Sequence, residues 1–274
     1  VIAHPDLKTV LPLMPEAITR QDGAEKNDCE RNAAKRLLKR VREDQPKIKL
    51  IVVEDSLASN GPHIELLEEL NMRYILGVKQ GDHAKLFEQV DEALCANRYE
   101  EFEVTDSPDR QRGYRWINGL TLNNSHYNCK VNYLEHWEIV NGKERIWSWV
   151  TDLPLNRDTV EHFARAGRTR WKVENETFNT LKNQGYHLEH NYGHGRQHLS
   201  TVFGQLTMLA FLVDQVQEAN CRLFQAARDR FYSRRALWEK LRSVFIDFDI
   251  ADWGSLWASL ARDHQTVLLT PDTS

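Results

Sequence analysis

Two short apolar runs, residues 1–3 and 10–13, flank His4-Pro5-Asp6, a pattern that predicts adjacent strands joined by a turn. A helix follows, capped near Asn27-Asp28, with Ala33, Ala34, Leu37, Leu38 and Val41 along one side. The run Ile48-Lys49-Leu50-Ile51-Val52-Val53-Glu54-Asp55 holds four consecutive apolar residues and predicts a strand buried on both faces, as in the middle of a helix-flanked sheet. Asn60-Gly61-Pro62 turns the chain into a helix through Ile64, Leu67 and Leu70. Tyr74-Ile75-Leu76-Gly77-Val78 predicts the next strand.

Beyond about residue 80 the pattern changes. A short helix over 86–94 gives way to alternating aromatic and β-branched positions at 102–104, 114–117, 132–140 and 146–150. Asn118-Gly119 and Asn141-Gly142 each suit a tight hairpin turn. From Asp158 the periodicity is helical: one helix to about Lys182, a His-rich connection, a helix over 199–216, and further helices to Leu269. The expected organisation is therefore α/β. A core of residues 1–79 and 156–216 is interrupted by a β-rich insertion at 80–155 and followed by a helical region at 217–274.

Composition narrows the class. Of the 274 residues, 41% are hydrophobic and 28% charged, which excludes a disordered chain. No uninterrupted apolar run approaches the ~20 residues that span a bilayer, and no signal-peptide pattern opens the chain, so a cytoplasmic protein without a membrane partner is expected. Cys29, Cys95, Cys129 and Cys221 form no CxxC pair and read as thiols of a reducing compartment. The chain opens on Val1 and is read as a piece of a longer sequence.

Net charge is −4, but residues 222–242 hold seven basic side chains (Arg222, Arg228, Arg230, Arg234, Arg235, Lys240, Arg242) against Asp229 and Glu239. That stretch is either a solvated helix face or a phosphate-contacting surface.

Two carboxylates stand out. Asp55 ends an apolar strand, and the carboxyl edge of an open α/β sheet is where ligands bind. On the later helix, about 100° per residue places Arg170, Glu174, Phe178 and Leu181 on one stripe. If Phe178 and Leu181 pack against a sheet, Glu174 is carried inward and needs a partner, either a cation or Arg170 four residues away.

The segment from Arg170 to Lys182 resembles the Y-R-E-K signature of bacterial insertion-sequence transposases with a DDE catalytic core: Tyr, two residues, Arg, three residues, Glu, six residues, Lys. Arg170 and Glu174 keep the Arg-to-Glu interval, and Trp171 supplies the expected aromatic. Two departures are visible. Gly167 stands at the Tyr position, and seven residues separate Glu174 from Lys182, which leaves Glu176 as a second candidate acid. The order of elements is also similar to that family's RNase H-like core, with Asp55 at the second-Asp position and residues 80–155 as the β-rich insert.

The resemblance implies DNA cleavage and strand transfer by three carboxylates holding two Mg²⁺ or Mn²⁺ ions about 3.5–4 Å apart. Hard cations of this kind select carboxylate oxygens. Asp55 and Glu174 match two of the three; Asp6 and Asp22 fit no first-Asp motif, and the missing Asp is expected upstream of Val1. Arg170, Lys182 and Arg196 are the candidate DNA contacts. The implied partner is double-stranded DNA, both transposon ends and target, engaged by a homodimer. Two alternatives remain: an RNase H-like nuclease without strand transfer, and an inactive truncated relic that only binds DNA.

Other candidates receive blander readings. His187, His190, His194 and His198 are spaced like zinc ligands, but Gly193 and Gly195 interrupt any helix there. Trp116, Trp137, Trp147 and Trp149 read mainly as core of the β layer, with base stacking as the alternative. Glu54 points to the opposite strand face from Asp55, and Ser56 lacks the context of a hydrolase nucleophile.

Overall fold

The first apolar runs pair as expected: β1 (Ile2–Ala3) and β2 (Val10–Leu11) are antiparallel, with Ile2 opposite Leu11. The structure is a computed structural model that describes residues 1–18, 29–126, 128–193 and 195–262. The chain divides into two compact units, one of residues 16–170 and one of residues 1–15 with 171–274.

The 16–170 unit contains α1 (Glu30–Asp44), β3 (Ile51–Glu54), α2 (Gly61–Glu69), β4 (Arg73–Gly77), α3 (Ala84–Cys95), β5 (Glu100–Ser107), β6 (Arg110–Thr121), β7 (Lys130–Val140), β8 (Lys143–Thr151) and α4 (Val160–Arg168). The expected cap of α1 at Asn27-Asp28 lies outside the described residues. Asn60 caps α2, its side chain accepting from the His63 N–H at 3.2 Å.

Among the described residues the strands form one mixed sheet in the order β3-β4-β8-β7-β6-β5. β3 and β4 are parallel and the remaining neighbours antiparallel. The β-rich region thus continues the sheet of β3 and β4, because β8 pairs with β4. Strand alternation sends Tyr74, Leu76, Tyr133 and Val150 to one face, where α2 and α3 cover them with Ile64, Leu67, Leu86 and Val90. Ile75, Leu134 and Trp149 go to the other face, under Val160 and Ala164 of α4. Helices on both faces of a mixed sheet make this an α/β, RNase H-like architecture.

β3 is an edge strand among the described residues, and Ile51 is exposed, so the apolar run does not mark a central, doubly buried strand. Asn141-Gly142 makes a hairpin turn, with both residues at positive φ, but Asn118-Gly119 does not. It is a bulge inside β6, where the register shifts between Ile117 and Leu120. The bulge frees Asn118 to bond both the carbonyl (3.0 Å) and the N–H (3.2 Å) of Leu155, while Asn132 accepts from the Gly119 N–H at 3.0 Å.

Among its described residues, the regular elements of the other unit are helical apart from β1 and β2. A π turn (Val173–Phe178) runs into α5 (Asn179–Asn183), followed by α6 (Leu199–Asn220), α7 (Arg222–Arg230), α8 (Arg234–Asp247) and α9 (Trp253–Ala261). Phe224, Leu237, Leu241, Leu256 and Trp257 form the core of the last three helices. Ser233 and Asp252 cap α8 and α9 through bonds to Ala236 N–H (3.1 Å) and Ser255 N–H (2.8 Å). Phe211 on α6 packs with Val10 and Leu181.

Among the described residues α6 is the one helix long and apolar enough to cross a membrane, by length and composition only. It qualifies although Gln205, Asp214 and Gln215 interrupt its apolar run.

Candidate active site

Asp55 is the first residue beyond β3, and its carboxylate is exposed. Oδ1 accepts the Leu57 N–H at 3.0 Å, and the Asp55 carbonyl accepts the Ala58 N–H at 3.2 Å, an Asx turn that sets the side chain's direction. β4 braces this turn closely. A Cβ on Gly77 would stand 3.3 Å from the Ser56 nitrogen, and Ser59 Oγ donates to the Gly77 carbonyl at 2.5 Å. The buried His83 holds the Ser59 carbonyl through Nε2 at 2.9 Å.

Asp82 is an acid that sequence reading missed. Its Oδ2 accepts from Ser56 Oγ at 3.5 Å, the outer limit of a hydrogen bond. The signal was present: Asp82 follows the end of β4, and adjacent parallel strands present their carboxyl ends at one sheet edge. Glu54, on the opposite strand face, is engaged by His63 Nε2 at 2.6 Å.

Glu174 lies in the second unit and is exposed, so the expected burial of its charge does not occur. The stripe Arg170-Glu174-Phe178-Leu181 is not the buried one either. Phe178 is 43% exposed, and the buried positions are Lys172, Thr177 and Leu181. The cause is the π turn, in which the Asn179 N–H bonds the Glu174 carbonyl, five residues back.

Lys172 donates to three backbone carbonyls of the β1–β2 connection: His4 (2.6 Å), Pro5 (3.2 Å) and Leu7 (2.5 Å). Burial lowers its pKa, and the charges of Glu176 and Asp6 oppose that shift. Glu176 and Asp6 are thus the electrostatic company of a buried ammonium.

The remaining candidates differ in their local settings. Arg170 is half-buried at the end of the 16–170 unit, Lys182 pairs with Glu189 at 2.8 Å on the surface, and Arg196 is exposed in the turn before α6. His194 and Asp22 lie outside the described residues. His187 and His198 both sit at positive φ, in turns rather than on a helix face.

Trp116 and Trp149 are buried core, as expected. Four of the basic side chains of residues 222–242 are tied within their unit. Arg228 donates to the Phe231 carbonyl and Arg230 to that of Leu260, while Arg234 pairs with Glu218 and Arg235 with Glu239.

Gly167 also has a local explanation. A Cβ there would stand 2.6 Å from Cε2 of Trp149, so α4 approaches the sheet too closely for any side chain.

Over residues 10–212 the chain matches the family described as the transposase DDE domain, a span that takes in both Asp55 and Glu174. The chain belongs to the DDE transposase family. No curated protein matches it. This transposase domain thus comes from a family of DNA-processing enzymes that generally use divalent metal ions.

Asp55 and Glu174 offer the oxygen donors that hard cations select. Among the described residues, however, no three His, Cys, Asp or Glu side chains gather in a way that could hold a metal. The donor type fits a hard cation and the ligand number does not.

Proposed function

We propose that this DDE transposase performs metal-dependent cleavage and strand transfer of insertion-sequence ends. In this reading Asp55 and Glu174 are two of the carboxylates that hold two Mg²⁺ or Mn²⁺ ions, and Arg170, Lys182 and Arg196 contact the phosphate backbone. The substrate is double-stranded DNA, transposon end and target alike. A homodimer brings two ends together, and the reaction takes place in the cytoplasm.

The observation that carries this reading is a family match spanning both acids, with Asp55 exposed and braced at the carboxyl end of a sheet strand. The test incubates the full chain with DNA carrying the element's ends and Mg²⁺ or Mn²⁺, and resolves nicked and joined products on gels. Asp55→Asn and Glu174→Gln each abolish both products. Cleavage that is unchanged in both variants overturns the assignment. Cleavage without joining favours a nuclease, and DNA binding without cleavage favours an inactive relic.

A further inference from the structure

The one-residue excess between Glu174 and Lys182 and the π turn lie in the same short stretch of chain. In a regular α-helix, residues nine apart stand about 180° from each other. Lys172 and Leu181 are nine apart, yet both are buried, with 5% and 0% exposure. The i→i+5 bond between Asn179 and Glu174 takes one residue out of the count and leaves those two positions about 80° apart, with the buried Thr177 between them.

The exposed side changes in the same way. Eight regular α-helical steps would put Lys182 about 80° from Glu174, whereas seven effective steps put it about 20° away.

We infer that the π turn is a phase-correcting device, absorbing the extra residue so that Glu174, and not Glu176, stays in line with Lys182. Two observations support this independently: the unbroken buried row Lys172-Thr177-Leu181, and the place of Glu176 among the charges around the Lys172 ammonium. The one-residue excess and the naming of Glu174 as a functional acid rest on the transposase reading; the unbroken buried row and the i→i+5 bond do not.

Thermal unfolding of the full chain, followed by circular dichroism, tests the inference on four variants, with hydrogen exchange over residues 171–183 as the local readout. Deleting Asn175 restores a regular helix with the same buried row, so Tm stays within about 2 °C of the parent or rises, and the segment becomes more protected. Inserting one alanine between Asn175 and Glu176 throws Leu181 out of the buried row and lowers Tm by roughly 5 °C or more. Glu176→Gln lowers Tm by more than Glu174→Gln does.

Equal loss from the deletion and the insertion, or failure of the deletion variant to fold, overturns the phase-correcting role. A larger loss from Glu174→Gln than from Glu176→Gln overturns the register assignment. The transposase reading survives either result, because it is judged by DNA cleavage.

Discussion

The Tyr186 hydroxyl donates a 2.6 Å hydrogen bond to the Asp214 carboxylate, joining the segment after α5 to the middle of α6. Burial pushes the Asp214 carboxyl up from its ordinary value of 3.8 to about 6, and Glu218 adds to the rise; the Tyr186 bond and the Arg234 guanidinium oppose it without cancelling it.

The folded chain therefore holds this proton more tightly than the unfolded chain does. The resulting stability is fully present below pH 3.8 and is lost as pH rises through about 6. Two pH units correspond to about 3 kcal/mol at most. The expected outcome is that Asp214→Asn, which can still accept from Tyr186, is more stable than the parent above pH 7 and not below pH 4. Urea midpoints of both proteins across that range check it; parallel curves would show that Asp214 is not perturbed.

Gly167 on α4 faces Trp149 at a distance that admits no Cβ. Gly167→Ala raises helix propensity, yet the clash at 2.6 Å is with the rigid indole of a core tryptophan. Overpacking of this kind costs about 1–3 kcal/mol, more than the propensity gain of about 1 kcal/mol. The substitution should lower the denaturation midpoint, and a midpoint at or above the parent's would mean that α4 can move away freely.

Glu138 gathers a cluster at one end of the sheet. Oε1 accepts from Arg168 Nη1 at 2.6 Å and lies 3.3 Å from Nε2 of His136. The Arg168 guanidinium lies 4.3 Å from the Trp147 ring centroid, and His136 stacks on both Tyr114 and Trp147. Burial holds the His136 pKa down, while the Gly113 carbonyl and the Glu138 carboxylate oppose that shift. Glu138→Gln keeps the shape but removes the charge that Arg168 binds, and should cost about 1–3 kcal/mol. A shift in the intrinsic fluorescence of Trp147 should accompany the loss, because Arg168 then has no anchor over the ring. An unchanged urea midpoint would show the cluster to be decorative.

Much of the sheet was legible from residues alone, because its signals are local. Alternation marked β5 to β8, Asn60-Gly61-Pro62 marked the start of α2, and the acids after Val53 placed Asp55 at a strand end. The errors have tertiary causes. Asn118-Gly119 has the chemistry of a hairpin turn, but the backbone groups of Leu155 recruit Asn118 and make it a bulge.

The four apolar residues of β3 report hydrophobicity, not the number of neighbouring strands. The stripe through Glu174 failed because a constant angle per residue was assumed across a turn that holds one residue too many. Asp82 escaped notice because its bond to Ser56, the residue after Asp55, exists only once β3 and β4 lie side by side.

The buried Lys172 offers a case in which two effects compete. Removing a buried charge often stabilises a protein, because its desolvation cost disappears. An ammonium has three donors, however, and Lys172 directs them at the carbonyls of His4, Pro5 and Leu7. The charge is thus compensated in place, and Lys172→Met removes a donor from all three carbonyls, although that of His4 keeps the Leu7 N–H at 3.3 Å. Hydrogen bonds from a charged donor contribute about 1.5–3 kcal/mol, so the substitution should destabilise the unit even though methionine fills a similar volume.

Lys172→Arg should not rescue it, since a planar guanidinium cannot converge on three carbonyls around a point charge. Limited proteolysis separates this from a general loss of packing: Lys172→Met should expose residues 4–7 to cleavage before the helical region is cut. If Lys172→Met instead raises the midpoint and leaves residues 4–7 protected, desolvation outweighs the three hydrogen bonds.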